Sequence, residues 1–234
     1  DGADAGDGCA GKAVRTSVQQ PDQVRHGRGA GKGGYVDAVS SGTSAVYVAL
    51  RALGIEPFTE VIVGPVTDPG GIMPIPMLNC IPIIADSAPG SYNVDAQQVE
   101  KVISPLTSAI LVGHIAGEPA DIEGIMAVAR KHGIPVVEDC AQAHGATLNG
   151  KVVGSFGDVA AISTMSGKHH AAGPQGGVVF TRDEDLYCRC RRFSDRGKPF
   201  NTQASSNVRA GLNLNGNDLA AAVGRVQLRR LPDI

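Results

Sequence analysis

The stretch Ile134-Pro135-Val136-Val137-Glu138-Asp139-Cys140-Ala141-Gln142 follows a helical pattern over Asp121–Lys131 and is an apolar run that stops on two acids. It predicts a strand over Ile134–Asp139. A strand this continuously apolar is buried on both faces, which is the habit of parallel sheets covered by helices.

The same alternation extends in both directions. Strands are predicted at Glu60–Val63, Ile81–Asp86, Ala109–His114, Val159–Ser163 and Gly177–Thr181, each mostly apolar and bounded by Gly, Pro or polar residues. Helices are predicted at Thr43–Leu53, Asp95–Ile103, Asp121–Lys131 and Asn217–Leu231. In the first of these Ala45, Val48, Ala49 and Ala52 share one face. The expectation is an α/β fold, a mainly parallel mixed sheet with helices on both faces, over residues 35–234.

Residues 1–34 read differently. They hold nine glycines and only three large aliphatics, so a flexible leader is expected there. Gly6-x-x-x-x-Gly11-Lys12 superficially copies a phosphate loop, but Ala13 stands where Ser or Thr would hold magnesium and no strand precedes it. Glycine is abundant overall, 31 of 234 residues or about 13%, against an ordinary share of about 7%.

Composition narrows the function classes. A formal charge of −2 gives no basic field for nucleic acid. Ile72–Ala85, the longest apolar stretch, is interrupted by three prolines and falls short of the roughly 20 residues of a membrane span. Five scattered cysteines show no zinc spacing, so no metal site is expected. They suggest reduced thiols in a cytoplasm.

Ligands of such sheets bind at the carboxyl ends of strands. Three features lie there. Ser40-Ser41-Gly42-Thr43-Ser44-Ala45 opens a helix, so its N–H groups and hydroxyls form either a phosphate cup or an ordinary N-cap. Asp139 ends a buried strand and needs a partner, such as a cationic ring nitrogen, unless it caps the next turn. Lys168, in Ser163-Thr164-Met165-Ser166-Gly167-Lys168-His169-His170, follows another strand; desolvated there it would be nucleophilic toward an aldehyde, although most lysines are solvated surface charges. Together, a cup, a strand-end acid and a loop lysine 29 positions later are what pyridoxal phosphate requires.

The chain resembles the DegT-type, fold-type-I sugar aminotransferases. The resemblance rests on Ser41-Gly42-Thr43-Ser44-Ala45, Val137 to Ala146, Gly150-Lys151-x-Val153-Gly154-Ser155-x-Gly157-Asp158, Ser163-x-x-x-x-Lys168, Gly176-Gly177, and Gly211-x-Asn213 followed by Ala221-Ala222 and Gln227-Leu228. It implies a pyridoxal 5′-phosphate enzyme that passes an amino group from glutamate or glutamine to a nucleotide-linked keto-sugar, as in polysaccharide biosynthesis. Lys168 would bond covalently to the cofactor, Asp139 would pair with its pyridine nitrogen and Gln142 with its phenolic oxygen. Gly42 belongs to the phosphate cup, and Thr43, Ser44 and Ser163 would hold the phosphate. Asn213 would reach the neighbouring subunit's phosphate, implying a homodimer with shared active sites.

Three departures accompany the resemblance. Thr67-Asp68 stands where the family commonly places a threonine and a stacking aromatic. Counting back from Gly176-Gly177 puts His169 at the lysine position, as in related sugar dehydratases, which keeps that reaction as an alternative. The family's N-terminal helix and small C-terminal domain have no counterpart in the sequence, which suggests a fragment, either an incomplete large domain or a relative without turnover.

Overall fold

The computed structural model describes residues 33–234. The leader expected at 1–34, Gly33 and Gly34 apart, and the Gly6–Lys12 loop lie outside the described residues. Seven strands form one sheet in the order β1-β9-β8-β5-β4-β2-β3. They are β1 (Tyr35–Val39), β2 (Glu60–Val63), β3 (Ile81–Ile84), β4 (Thr107–Gly113), β5 (Val136–Asp139), β8 (Val159–Ser163) and β9 (Gly177–Thr181). A separate two-stranded ribbon is formed by β6 (Thr147–Leu148) and β7 (Lys151–Val152). The pairs β3–β2, β2–β4, β4–β5 and β5–β8 are parallel; β9 is antiparallel to both β8 and β1. The mainly parallel mixed sheet expected from the sequence is therefore the one observed.

Helices cover both faces. One core packs α1 (Gly42–Leu53), α3 (Pro74–Met77) and α6 (Glu184–Ser194) on the sheet through Val48, Leu50, Ile75, Leu111 and Phe193; the other packs α4 (Ala96–Val102) and α5 (Ile122–His132) through Val99, Ile110, Ile122 and Ile125. The short α2 (Pro69–Ile72) precedes α3, and α7 (Asp218–Arg230) closes the chain. Asp95, Asp121 and Asn217, read as first helical residues, are N-caps whose side chains accept from Gln98, Gly124 and Ala220 N–H groups. The apolar stretch Ile72–Ala85 holds the short α3, which Pro74 opens, and the edge strand β3, which carries Pro82. No helix among the described residues is long and apolar enough to cross a membrane. Cys80, Cys140 and Cys190 are free and buried.

The run Arg189, Arg191, Arg192 and Arg196, which reads as a solvated helix face, needs correction. Arg191 points inward from α6 to Asp37 of β1, Nη1 to Oδ1 at 2.5 Å, and Ser194 Oγ donates to Asp37 Oδ2 at 2.6 Å. Asp37 is buried; burial pushes its pKa up, while the Arg191 charge and the Ser194 hydroxyl pull against that shift. Removing one member of a buried pair strands the other, at about 3–5 kcal/mol. Asp37→Ala is accordingly expected to lower the unfolding free energy by about 3 kcal/mol, read from urea midpoints at unchanged m-value. A loss under about 1 kcal/mol, the level of a surface pair, would contradict this role.

Candidate active site

Because β2, β4, β5 and β8 run parallel, their carboxyl ends share one edge of the sheet, and a cavity of about 220 Å³ opens there. Six residues singled out in the sequence line it: Gly42, Thr43, Asp139, Gln142, Ser163 and Lys168. Ser44 does not. It is buried behind the wall, its hydroxyl 2.9 Å from both Ser40 Oγ and Ser41 Oγ. Asn213 is exposed outside the cavity and accepts a hydrogen bond from the Asn215 amide at 2.9 Å.

One wall is the start of α1. The Ser41 side chain accepts from Ser44 N–H at 3.1 Å, and the Ser41 carbonyl accepts from Ala45 N–H at 3.0 Å. The N–H groups of Gly42 and Thr43 have no acceptor inside the helix and lie at its positive end, on the cavity wall. Two glycines permit the close approach. A Cβ on Gly42 would lie 2.6 Å from Ser163 Cβ, and one on Gly177 would strike the Ser41 carbonyl. These backbones can meet only without side chains, and their meeting brings the Ser163 hydroxyl beside the helix terminus.

The opposite wall carries the titratable groups. Asp139 Oδ1 accepts from Ala141 N–H at 3.0 Å. Burial pushes the Asp139 carboxyl up from its usual pKa, against the Ala141 N–H and the Lys168 charge. A carboxylate so placed gains most from a cationic partner in the cavity. Gln142 Oε1 accepts from Ala116 N–H at 2.8 Å, which commits the oxygen and leaves its NH₂ as the group it can offer. Lys168 sits in a turn closed by its own N–H to the Met165 carbonyl at 2.9 Å, within a loop pinned by Thr164 N–H to Gly176 O and Ala172 N–H to Thr164 O. His169 is exposed and not among the cavity-lining residues.

His144 braces that loop, its Nδ1 accepting from His170 N–H at 3.0 Å. Burial, with His170, His169 and Lys168 beside it, pushes the His144 pKa down to about 4, against a smaller pull from the Ser163 carbonyl. The ring is neutral at pH 7 and keeps its acceptor.

Other lining residues are less legible in the sequence. Thr67, Asp68, Gly70 and Gly71 enter at the start of α2, where Asp68 Oδ1 accepts from Gly70 N–H at 2.8 Å. A Cβ on Gly71 would lie 3.1 Å from Asp139 Oδ2, so glycine keeps that oxygen accessible. No Phe, Tyr or Trp among the described residues lines the cavity. Gln175 and His114 also border it. His114 is fully buried between the Ala120 N–H at 3.1 Å and Glu138 Oε2 at 3.1 Å, a structural role.

Residues 31–234 match the DegT/DnrJ/EryC1/StrS aminotransferase family. The chain is 36% identical over 199 residues to GDP-perosamine synthase of Escherichia coli O157:H7, covering 85% of this chain and 54% of that one. It is 39% identical over 190 residues to a UDP-N-acetyl-3-dehydro-alpha-D-glucosamine 3-aminotransferase of Acidithiobacillus ferrooxidans, covering 81% and 49%. Among solved structures, S. venezuelae DesV in complex with a ketimine intermediate superposes with a TM-score of 0.80 at 36% identity, covering 85% of this chain and 53% of DesV. The chain thus spans about half the length of these relatives.

The depressed pKa of His144 fixes a pH dependence. Between about pH 6.5 and 4 the unfolded chain binds a proton at His144 that the folded one refuses, so the contribution of His144 to stability falls as pH drops through that window, by about 3 kcal/mol, and is constant above it. His144→Asn keeps an acceptor without titrating. The difference in unfolding free energy between wild type and variant should therefore shrink or reverse below pH 6.5; a difference constant with pH would contradict the assignment.

Proposed function

The chain belongs to the DegT/DnrJ/EryC1/StrS aminotransferase family, and from that premise we propose that its cavity holds pyridoxal 5′-phosphate and serves transfer of an amino group from glutamate or glutamine to a nucleotide-linked keto-sugar. The observation that carries the proposal is the convergence of a helix N-terminus, a strand-end carboxylate and a lysine on one cavity, from three segments distant in sequence.

The residues fit the group. The N–H groups of Gly42 and Thr43, with the Thr43 and Ser163 hydroxyls, would hold the phosphate; Ser44 supports this cup from behind through Ser40 and Ser41. Asp139 would pair with the ring nitrogen, which answers the cost of its burial. Gln142 would donate its NH₂ to the phenolic oxygen. When bound, the cofactor supplies an aldehyde for the amine and an electron-withdrawing ring.

Lys168 is the amine on this wall; as a free amine it would hold and move the proton of the donor's α-carbon. Asp139 would hold its charge toward the ring nitrogen, and the close approach of Gly42 to Ser163 keeps the Ser163 hydroxyl beside the helix terminus that would take the phosphate. The dehydratase alternative needs His169, whose position off the cavity wall favours the lysine reading. Residues 35–234 would form the cofactor-binding large domain of a cytoplasmic homodimer, with Asn213, exposed outside its own cavity, reaching the neighbour's phosphate.

The test is the first half-reaction. With pyridoxal phosphate bound, addition of glutamate or glutamine should convert the aldehyde-form spectrum to that of the amine form, and Lys168→Ala should slow this at least roughly 100-fold. A variant as fast as wild type would overturn the assignment of Lys168. Failure of wild type to bind the cofactor would favour the non-catalytic relative.

A further inference from the structure

The loop that carries Lys168 is tied to α7 at one point. His170, two residues after the lysine, is buried, and its Nε2–H donates to the Gly224 carbonyl in the middle of α7 at 2.9 Å. Gly224 is the one buried residue of α7, and a Cβ there would lie 3.2 Å from Ala172 Cβ and 3.6 Å from His170 Nε2. Beside this point a small cavity of about 40 Å³ is lined by Ala220 and Ala221 of α7 and by Thr164, Ala172 and Val178. The base of α7 is fixed independently, by Gly216 N–H to the Ala38 carbonyl and Ser40 N–H to the Leu214 carbonyl. The helix is anchored at its root and, among the described residues, latched to the loop through His170.

The latch continues inward. His170 N–H donates to His144 Nδ1, and His144 follows Asp139 and Gln142 on the same connecting segment. His170 therefore fixes the Lys168 turn from two sides, against α7 through its ring and against the Asp139–His144 segment through its backbone.

We propose that His170 is a positioning residue through which α7 and the Lys168 loop order each other, so that docking of α7 prepares the lysine and engagement of the lysine tightens α7. Coupling of this kind is reciprocal. The structural part stands on the hydrogen bond and the close approach at Gly224; the part concerning ligand engagement rests on the cofactor reading above.

Amide hydrogen exchange read by peptide mass spectrometry tests it in both directions. Without cofactor, His170→Ala should speed exchange across 220–230, and Gly224→Val, whose side chain would press on Ala172 and part α7 from the loop, should speed it across 164–172, each roughly tenfold, the worth of one lost buried hydrogen bond. His170→Gln, which keeps a donor, should exchange more slowly than His170→Ala. With pyridoxal phosphate added, wild type should show slower exchange in both segments, and Gly224→Val only in the loop. Exchange in the loop untouched by Gly224→Val, or in α7 untouched by His170→Ala, overturns the proposal. So does cofactor that protects the loop and leaves α7 unchanged. Cofactor that protects neither segment, with the two cofactor-free effects present, sinks the cofactor reading and leaves the latch supported.

Discussion

A single buried carboxylate organises the edge of the sheet where the cavity lies. Glu138 is fully buried and takes four donors: His114 Nε2 at 3.1 Å and Gly154 N–H at 2.7 Å on one oxygen, Phe156 N–H at 2.7 Å and Gly157 N–H at 2.6 Å on the other. Burial alone would raise its pKa. The His114 and backbone hydrogen bonds outweigh burial and hold it below the usual carboxylate range. Since Ala120 N–H donates to His114 Nδ1, the imidazole proton is confined to Nε2, facing Glu138. His114, Glu138 and Cys140 lie close enough to suggest a metal trio, but these hydrogen bonds already occupy the carboxylate, and burial keeps the Cys140 thiol protonated.

The consequence for the site follows from strand geometry. Successive side chains on β5 point to opposite faces, so anchoring Glu138 to the 154–157 turn and to the end of β4 turns Asp139 toward the cavity. One acid is satisfied by the protein. Its neighbour is left with one backbone donor and a raised pKa, ready for a partner that the chain does not supply. The α1 terminus and the Lys168 loop then meet at the same edge because Gly42 and Gly177 let their backbones touch.

Much of this was legible in the sequence, for identifiable reasons. Glu60–Val63, Val159–Ser163 and Gly177–Thr181 are strands with the expected bounds because short apolar runs between polar breakers leave little choice. The strand β1 was not foreseen: it is short, adjoins a glycine-rich segment and carries Asp37, whose burial depends on Arg191 about 150 residues away. The same pairing hid the buried face of α6, where arginines interrupt the apolar positions Leu186, Tyr187, Cys190 and Phe193. In the site, residues at strand ends announce themselves by position, as Asp139 and Lys168 do. Ser44 does not, because a helix's first turn presents only some of its hydroxyls outward. Gly70, Gly71 and Gln175 carry no local signal; they matter only because folding brings them beside Asp139 and Lys168.

The central claim is that Lys168 and Asp139 face one cofactor across this cavity. Its most direct measurement is reduction of the protein with borohydride in the presence of pyridoxal phosphate, followed by peptide mass spectrometry. The account predicts one pyridoxyl adduct, on the peptide containing Lys168, with its yield sharply reduced in Asp139→Ala. An adduct spread over surface lysines, or located on another lysine while Lys168 stays unmodified, would contradict it.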